Sequence, residues 1–89
     1  MNPKYAPKTG DGRRARVIEE IGEVLKAFGK WDRFGSGSRH PNGGMTNAEE
    51  ALFELEDLKG AIDVYLPDVR AIVHRDAAMA ASNDNAKKS

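Results

Sequence analysis

From residue 17 to residue 28, apolar side chains recur at helical spacing: Val17, Ile18, Ile21, Val24, Leu25 and Phe28. Intervals of three and four place them on one face, so the pattern predicts an amphipathic helix. Asp11 is the expected N-cap, with the helix starting near residue 12 or 13 and closing at Gly29 or a turn beyond. A second stripe, Ala51, Leu52, Leu55, Leu58, Ile62 and Leu66, predicts a second helix. Thr46 or Asn47 can cap it, since each is followed three residues later by a glutamate, Glu49 or Glu50. Phe53, Gly60 and Val64 give this helix an opposite face as well, which argues for burial on two sides. Pro67 disfavours a helical residue before it and suits the first turn of a new helix, so a third helix is expected from that point. It would carry Val69, Ile72 and Val73. The chain therefore reads as all-α, a small bundle of about three helices, completed by dimerisation into a four-helix-type core.

The segments outside this pattern set the domain limits. Residues 1–12 hold Pro3, Pro7, Gly10 and Gly12 and read as an extended arm. Residues 13–81 form the helical domain, and the polar stretch 82–89 reads as a disordered tail. The connection at 29–46 holds five glycines. Connections of this length are usually functional or disordered. This one carries Lys30, Trp31, Arg33, Phe34, Arg39 and His40, groups suited to a base and to phosphates, although Trp31 and Phe34 could equally close the end of the core.

Composition narrows the function classes. Eighty-nine residues make one domain with a modest core, which oligomerisation would help. Fourteen basic and fourteen acidic residues cancel, so charge gives no general reason to expect nucleic acid or an acidic membrane as partner. Only the cluster Arg13, Arg14 and Arg16 points that way, and it reads more simply as a solvated helix start. Cysteine is absent, which removes disulfides and thiolate metal sites. No apolar run approaches the roughly 20 residues of a membrane span. The first residues lack a signal-type apolar core, so a cytoplasmic protein is expected.

Candidate chemistry lies in two acidic pairs. Glu20 and Glu23 are three apart on the flank of the first apolar stripe, and Glu54 and Asp57 repeat the spacing on the second. If the two helices pack antiparallel, four carboxylates converge. Oxygen ligands of this kind suit a hard divalent cation such as Mg²⁺. No Glu-x-x-His pair is present, which disfavours a di-iron centre, and His74 reads as a surface or packing residue. Spacing alone also allows a plainer reading, in which Glu20 pairs with Arg16, and Glu23 with Lys26 or Lys30.

The order of these residues resembles a family signature. Glu19-Glu20-Ile21-Gly22-Glu23, followed by Glu54-Leu55-Glu56-Asp57, is similar to the Glu-Glu-x-x-Glu … Glu-x-x-Asp pattern of the all-α nucleoside triphosphate pyrophosphohydrolases, the MazG and dimeric dUTPase superfamily. The chain looks most like the short MazG-like proteins common in phages and prophages, which would place it in a host cytoplasm. Lys30-Trp31-Asp32-Arg33-Phe34-Gly35 and Ala61-Ile62-Asp63-Val64-Tyr65-Leu66 extend the similarity over residues 16–66. The glycine-rich insertion at 35–46 and the short segment before the first motif depart from it. The resemblance implies Mg²⁺-dependent hydrolysis, with Mn²⁺ as an alternative, of a nucleoside or deoxynucleoside triphosphate to monophosphate and pyrophosphate. Glu20, Glu23, Glu54 and Asp57 would be metal ligands. Glu19 would be a further ligand, a supporting group or a base, with Glu20 and Glu23 also in the catalytic set. Residue type adds Lys30, Arg33 and Arg39 for phosphates, and Trp31 or Phe34 for the base. A homodimer or higher homo-oligomer is expected. The alternative is a nonenzymatic helical interaction protein whose acidic pairs are solvated or hold a structural cation.

Overall fold

The computed structural model describes residues 8–39, 41 and 43–88, with side chains to residue 83. It contains two helices, α1 (Gly10–Phe34) and α2 (Asn47–Lys88), joined as a hairpin. Their antiparallel course is fixed by ion pairs at both ends, Arg13 with Asp68 and Lys30 with Glu50.

Burial along both helices follows alternating steps of three and four. On α1 the inward positions are Arg13, Val17, Glu20, Val24 and Ala27. On α2 they are Asn47, Ala51, Glu54, Leu58 and Ala61, continuing to Tyr65 and Asp68. This is the seam expected of a two-helix coiled coil. Ala27, Ala51 and Ala61 are nearly fully buried, and their small side chains let the backbones approach.

Three boundaries differ from the sequence-based expectation. Thr9, not Asp11, caps α1: its Oγ1 accepts from the N–H of Gly12 at 3.0 Å. A hydroxyl two residues earlier starts the helix two to three residues sooner. Of the arm expected at 1–12, residues 1–7 lie outside the described residues, and 10–12 are helical. Of the two ends expected, Gly29 or a turn beyond it, the later is the nearer, because α1 runs to Phe34. A mid-helix glycine weakens a helix by about 1 kcal/mol without stopping it. The stop is Gly35, at φ 90° and ψ 157°, whose N–H bonds to the carbonyl of Trp31. That backbone region is essentially restricted to glycine.

Pro67 does not begin a third helix. It lies inside α2, which is continuous for 42 residues. The expected three-helix arrangement is therefore a two-helix hairpin. Proline removes one hydrogen bond and crowds the preceding turn. The seam residues on either side of it, Tyr65 and Asp68, keep the helix against α1. Arg13 grips Asp68 with both Nε and Nη2, the latter at 3.1 Å. That bond holds the Asp68 carboxyl below its ordinary range. Beyond Asp68, α2 projects past the start of α1 and continues through Lys88, across part of the segment read as a tail.

The connection spans residues 35–46 and is held by specific bonds. Asn47 N–H donates to the Ser38 carbonyl at 2.9 Å, and Ala48 N–H to that of Ser36 at 3.0 Å. Arg39 and Thr46 form an antiparallel bridge. Thr46 and Glu49 make the reciprocal capping box, both bonds at 3.1 Å. The bonds from Thr46 hold Glu49 below the usual glutamate range.

One face of the hairpin is left apolar. In an antiparallel pair, residues one step after the seam on each helix project to the same side. Those residues are Ile18, Ile21, Leu25 and Phe28 on α1, and Leu52, Leu55, Ile62 and Leu66 on α2. All are exposed, with Leu25 at 65% and Ile18 at 62%. Residues one step before the seam form the opposite face, with Arg16, Glu19, Glu23, Lys26 and Lys30 on α1 and Glu50, Phe53, Asp57 and Val64 on α2; Phe53 and Val64 are exposed, so this hairpin buries α2 on one side and not on the two expected.

Candidate metal centre

Two seam positions, where a coiled coil places apolar side chains, hold glutamates: Glu20 on α1 and Glu54 on α2. Asp57, one turn after Glu54, joins them. Carboxylate oxygens of Glu20, Glu54 and Asp57 all lie within 4.8 Å of one another. The two helices thus bring together three of the four expected metal ligands. Glu23 stands outside this trio on the exposed rim, and its charge still acts on Glu54.

Glu20 is 5% exposed. Its Oε1 accepts from Arg16 Nη2 at 2.9 Å, the pairing expected from their i, i+4 spacing. Its Oε2 is buried with no hydrogen-bond partner among the described residues, as is Arg16 Nε. A buried carboxylate oxygen without a partner is costly, so the arrangement is not one that stability alone would favour. Arg16 also approaches Glu19, Nη1 to Oε2 at 3.9 Å. Glu19 itself is exposed at the edge of the cluster.

Glu54 is half-buried, and its pKa lies above the ordinary glutamate range. Burial is the main cause, followed by the charges of Glu23, Glu20, Asp57 and Glu50. Neighbouring negative charges disfavour the ionised form of the Glu54 carboxyl. A divalent cation is the group that would relieve this repulsion and supply Oε2 of Glu20 with a partner. The donor set, all carboxylate oxygens, suits Mg²⁺ or Mn²⁺. The residues present therefore fit such a cation.

The residues expected to bind substrate sit nearer the hairpin end. Lys30 pairs with Glu50, Nζ to Oε1 at 3.2 Å. Trp31 packs edge-on against Phe28, with ring centroids 6.4 Å apart, which places it against the end of the apolar face. Arg33 is exposed in the last turn of α1. Phe34 is 64% exposed. Arg39 Nη1 donates to the Gly44 carbonyl at 2.6 Å and lies 3.9 Å from Glu49. His40 lies outside the described residues.

Lys30, Phe34 and Arg39 border one cavity of about 320 Å³, with Met45 from the connection and Glu50 from α2. Sequence reasoning did not anticipate Met45 or Glu50 there, nor the part Asn47 plays. Asn47 is buried, and its Nδ2 donates to the carbonyls of Gly35 at 2.9 Å and Lys30 at 3.4 Å, clamping the connection to α1. Glu50 was findable, because it lies four residues before Glu54 on the same helix face.

No protein-family model, curated protein or solved structure matches this chain. Among the described residues, no helix is long and apolar enough to cross a membrane.

Proposed function

We propose that the chain is a divalent-cation-dependent nucleoside triphosphate pyrophosphohydrolase of the MazG-like kind, working as a dimer. The observation that carries this reading is Glu20, a buried seam carboxylate that clusters with Glu54 and Asp57 and has one oxygen without a hydrogen-bond partner among the described residues. Glu20, Glu54 and Asp57 are the residues that would hold Mg²⁺, with Glu23 reaching in from the rim. Bound there, the ion would neutralise phosphate charge and acidify a water.

The chain's own groups cover the rest of the chemistry. Water adds to the α-phosphorus, the bond from that phosphorus to the α–β bridging oxygen breaks, and monophosphate and pyrophosphate leave. Glu19 and Glu23 are exposed carboxylates beside the cluster, suited to accept the proton of the attacking water. Arg33, exposed in the last turn of α1, would counter phosphate charge.

The exposed apolar face supports dimerisation. Eight large apolar side chains, four from each helix, stand exposed along it, a contiguous patch of the kind that marks protein–protein contact. Two hairpins joined through this face would make a four-helix core and leave both acidic faces outward. The same apolar face also favours the second reading, a nonenzymatic helical interaction protein.

Turnover separates the two. A panel of canonical and modified nucleoside triphosphates is incubated with Mg²⁺, and pyrophosphate is resolved from orthophosphate. Pyrophosphate with monophosphate, lost on chelation, is expected. No turnover on any nucleotide would sink the hydrolase and leave the interaction protein.

A further inference from the structure

The cavity at the hairpin end has features that packing does not require. Phe34 is 64% exposed on its wall, and Met45 stands exposed on the connection. The Lys30–Glu50 ion pair lines the same cavity and presents an ammonium and a carboxylate, with Nζ 3.2 and 3.5 Å from the two oxygens. Both side chains remain partly accessible. The wall opposite α1 is held in shape by the Asn47 clamp, the Arg39–Thr46 bridge and the Arg39 bond to Gly44. Gly43 and Gly44 adopt φ of 86° and 101°, conformations that side-chain-bearing residues rarely take. The result is a preformed concave site with apolar walls and one paired donor and acceptor. Sites for small planar ligands are built this way.

Its position relates it to the acidic cluster. Glu50 precedes Glu54 by one helical turn and Asp57 by two, so the two sites are separated by roughly 6–11 Å along α2. That is the order of the distance from a nucleobase to its 5′-phosphate. The charge of Glu50 also reaches Glu54.

We propose that this cavity binds the base of the substrate nucleotide, and that it favours bases carrying an exocyclic amino group beside a ring-nitrogen acceptor, as cytosine and adenine do. The proposal rests on the pyrophosphohydrolase reading for the identity of the substrate, and extends it to base recognition. Phe34 and Met45 cover the faces of the ring. The Glu50 carboxylate accepts from the amino group, and the Lys30 ammonium donates to the neighbouring ring nitrogen. Uracil and thymine present a carbonyl where the amino group would stand, and that oxygen faces a carboxylate.

The test uses nucleosides, which carry no phosphate, on the full chain in chelator, so cation binding and turnover play no part. Cytidine, adenosine and uridine are titrated while the NMR resonances of Phe34 and Met45 are followed. Cytidine and adenosine are expected to move both signals and to bind at least about five-fold tighter than uridine. Glu50→Gln should bring that preference to within about two-fold, and Phe34→Ala should weaken all binding by about tenfold. Phe34 is mostly solvent-facing, so its replacement leaves the fold intact, with helix content by circular dichroism as the check. If no nucleoside moves Phe34 or Met45 while pyrophosphate release is intact, the cavity assignment is wrong and the hydrolase stands. Equal binding of uridine overturns the base preference. Selective nucleoside binding without turnover on any triphosphate supports the cavity and removes the hydrolase.

Discussion

Replacing Glu20 by methionine should stabilise the cation-free protein and abolish its response to Mg²⁺. Methionine matches the length of glutamate and suits a seam position. Carboxylates of Glu20, Glu54 and Asp57 lie within 4.8 Å of one another. At an effective dielectric of 20, each such contact costs at least about 3.5 kcal/mol of repulsion. Removing Glu20 relieves two of them, about 7 kcal/mol. It also forfeits the Arg16 contact at 2.9 Å, worth about 6 kcal/mol on the same scale. The Coulomb terms nearly cancel. What remains is the desolvation of a carboxylate that is 5% exposed with one oxygen unpartnered. Arg16 is not stranded by the change, because its side chain is 27% exposed and Glu19 remains at 3.9 Å, so the exchange falls on the favourable side, where replacing buried charges by packed apolar groups gains about 1–4 kcal/mol. For a chain of this size each kcal/mol moves the melting temperature by roughly 4–8 °C. The assay is thermal unfolding at one fixed protein concentration, in chelator and then in excess Mg²⁺. The wild type should gain about 2.7 kcal/mol when Mg²⁺ stands at a hundred times its dissociation constant, and Glu20→Met should gain none. A variant less stable than wild type in chelator, or one still stabilised by Mg²⁺, would refute the reasoning.

Four further outcomes follow from the geometry. Gly35→Ala places a side chain at φ 90°, with open space around it, so conformational strain alone should cost about 1–3 kcal/mol in urea unfolding. Pro67→Ala restores a helical N–H in the interior of α2 and should raise stability by up to about 3 kcal/mol, with increased helix signal by circular dichroism. Leu25→Glu puts a charge in the middle of the apolar face and should convert the proposed dimer to a monomer by sedimentation; a wild type that is already monomeric would remove the dimer, and a dimer unchanged in mass would exclude this face as the interface. The pKa of Asp68 is lowered by Arg13, so the pair stabilises the fold above the ordinary aspartate pKa of about 4, and that contribution is lost as pH falls through the lower folded value. Asp68→Asn should therefore be less stable at neutral pH and show a flatter loss of stability in acid.

Much of this arrangement is legible in residue spacing. The two amphipathic helices, their antiparallel packing, the Thr46–Glu49 capping box and the Arg16–Glu20 pair all follow from local patterns. So does the convergence of Glu20, Glu54 and Asp57, because i, i+3 and i, i+4 geometry fixes which side chains share a face. The division between Glu20 and Glu23 is also legible, since helical geometry puts Glu20 at the edge of the apolar arc beside Val24 and Glu23 about 60° further round, and the seam buries the first and leaves the second on the rim. Pro67 misled. It weakens a helix locally, but contacts made by neighbouring residues decide whether the helix continues, and Tyr65, Asp68 and Arg13 provide those contacts around Pro67. The cavity depends on Asn47 reaching back to Gly35 and Lys30, a pairing across the connection that no local pattern encodes.

The central claim, that the acidic seam is a divalent-cation site, is tested most directly by Mn²⁺ titration followed by electron paramagnetic resonance. Wild type is compared with Glu54→Gln, which keeps the shape of the side chain and removes its charge. Saturable Mn²⁺ binding to the wild type, displaced by Mg²⁺ and weakened at least about tenfold in Glu54→Gln, is the predicted result. Equal Mn²⁺ binding by both proteins, or none by the wild type, would contradict it.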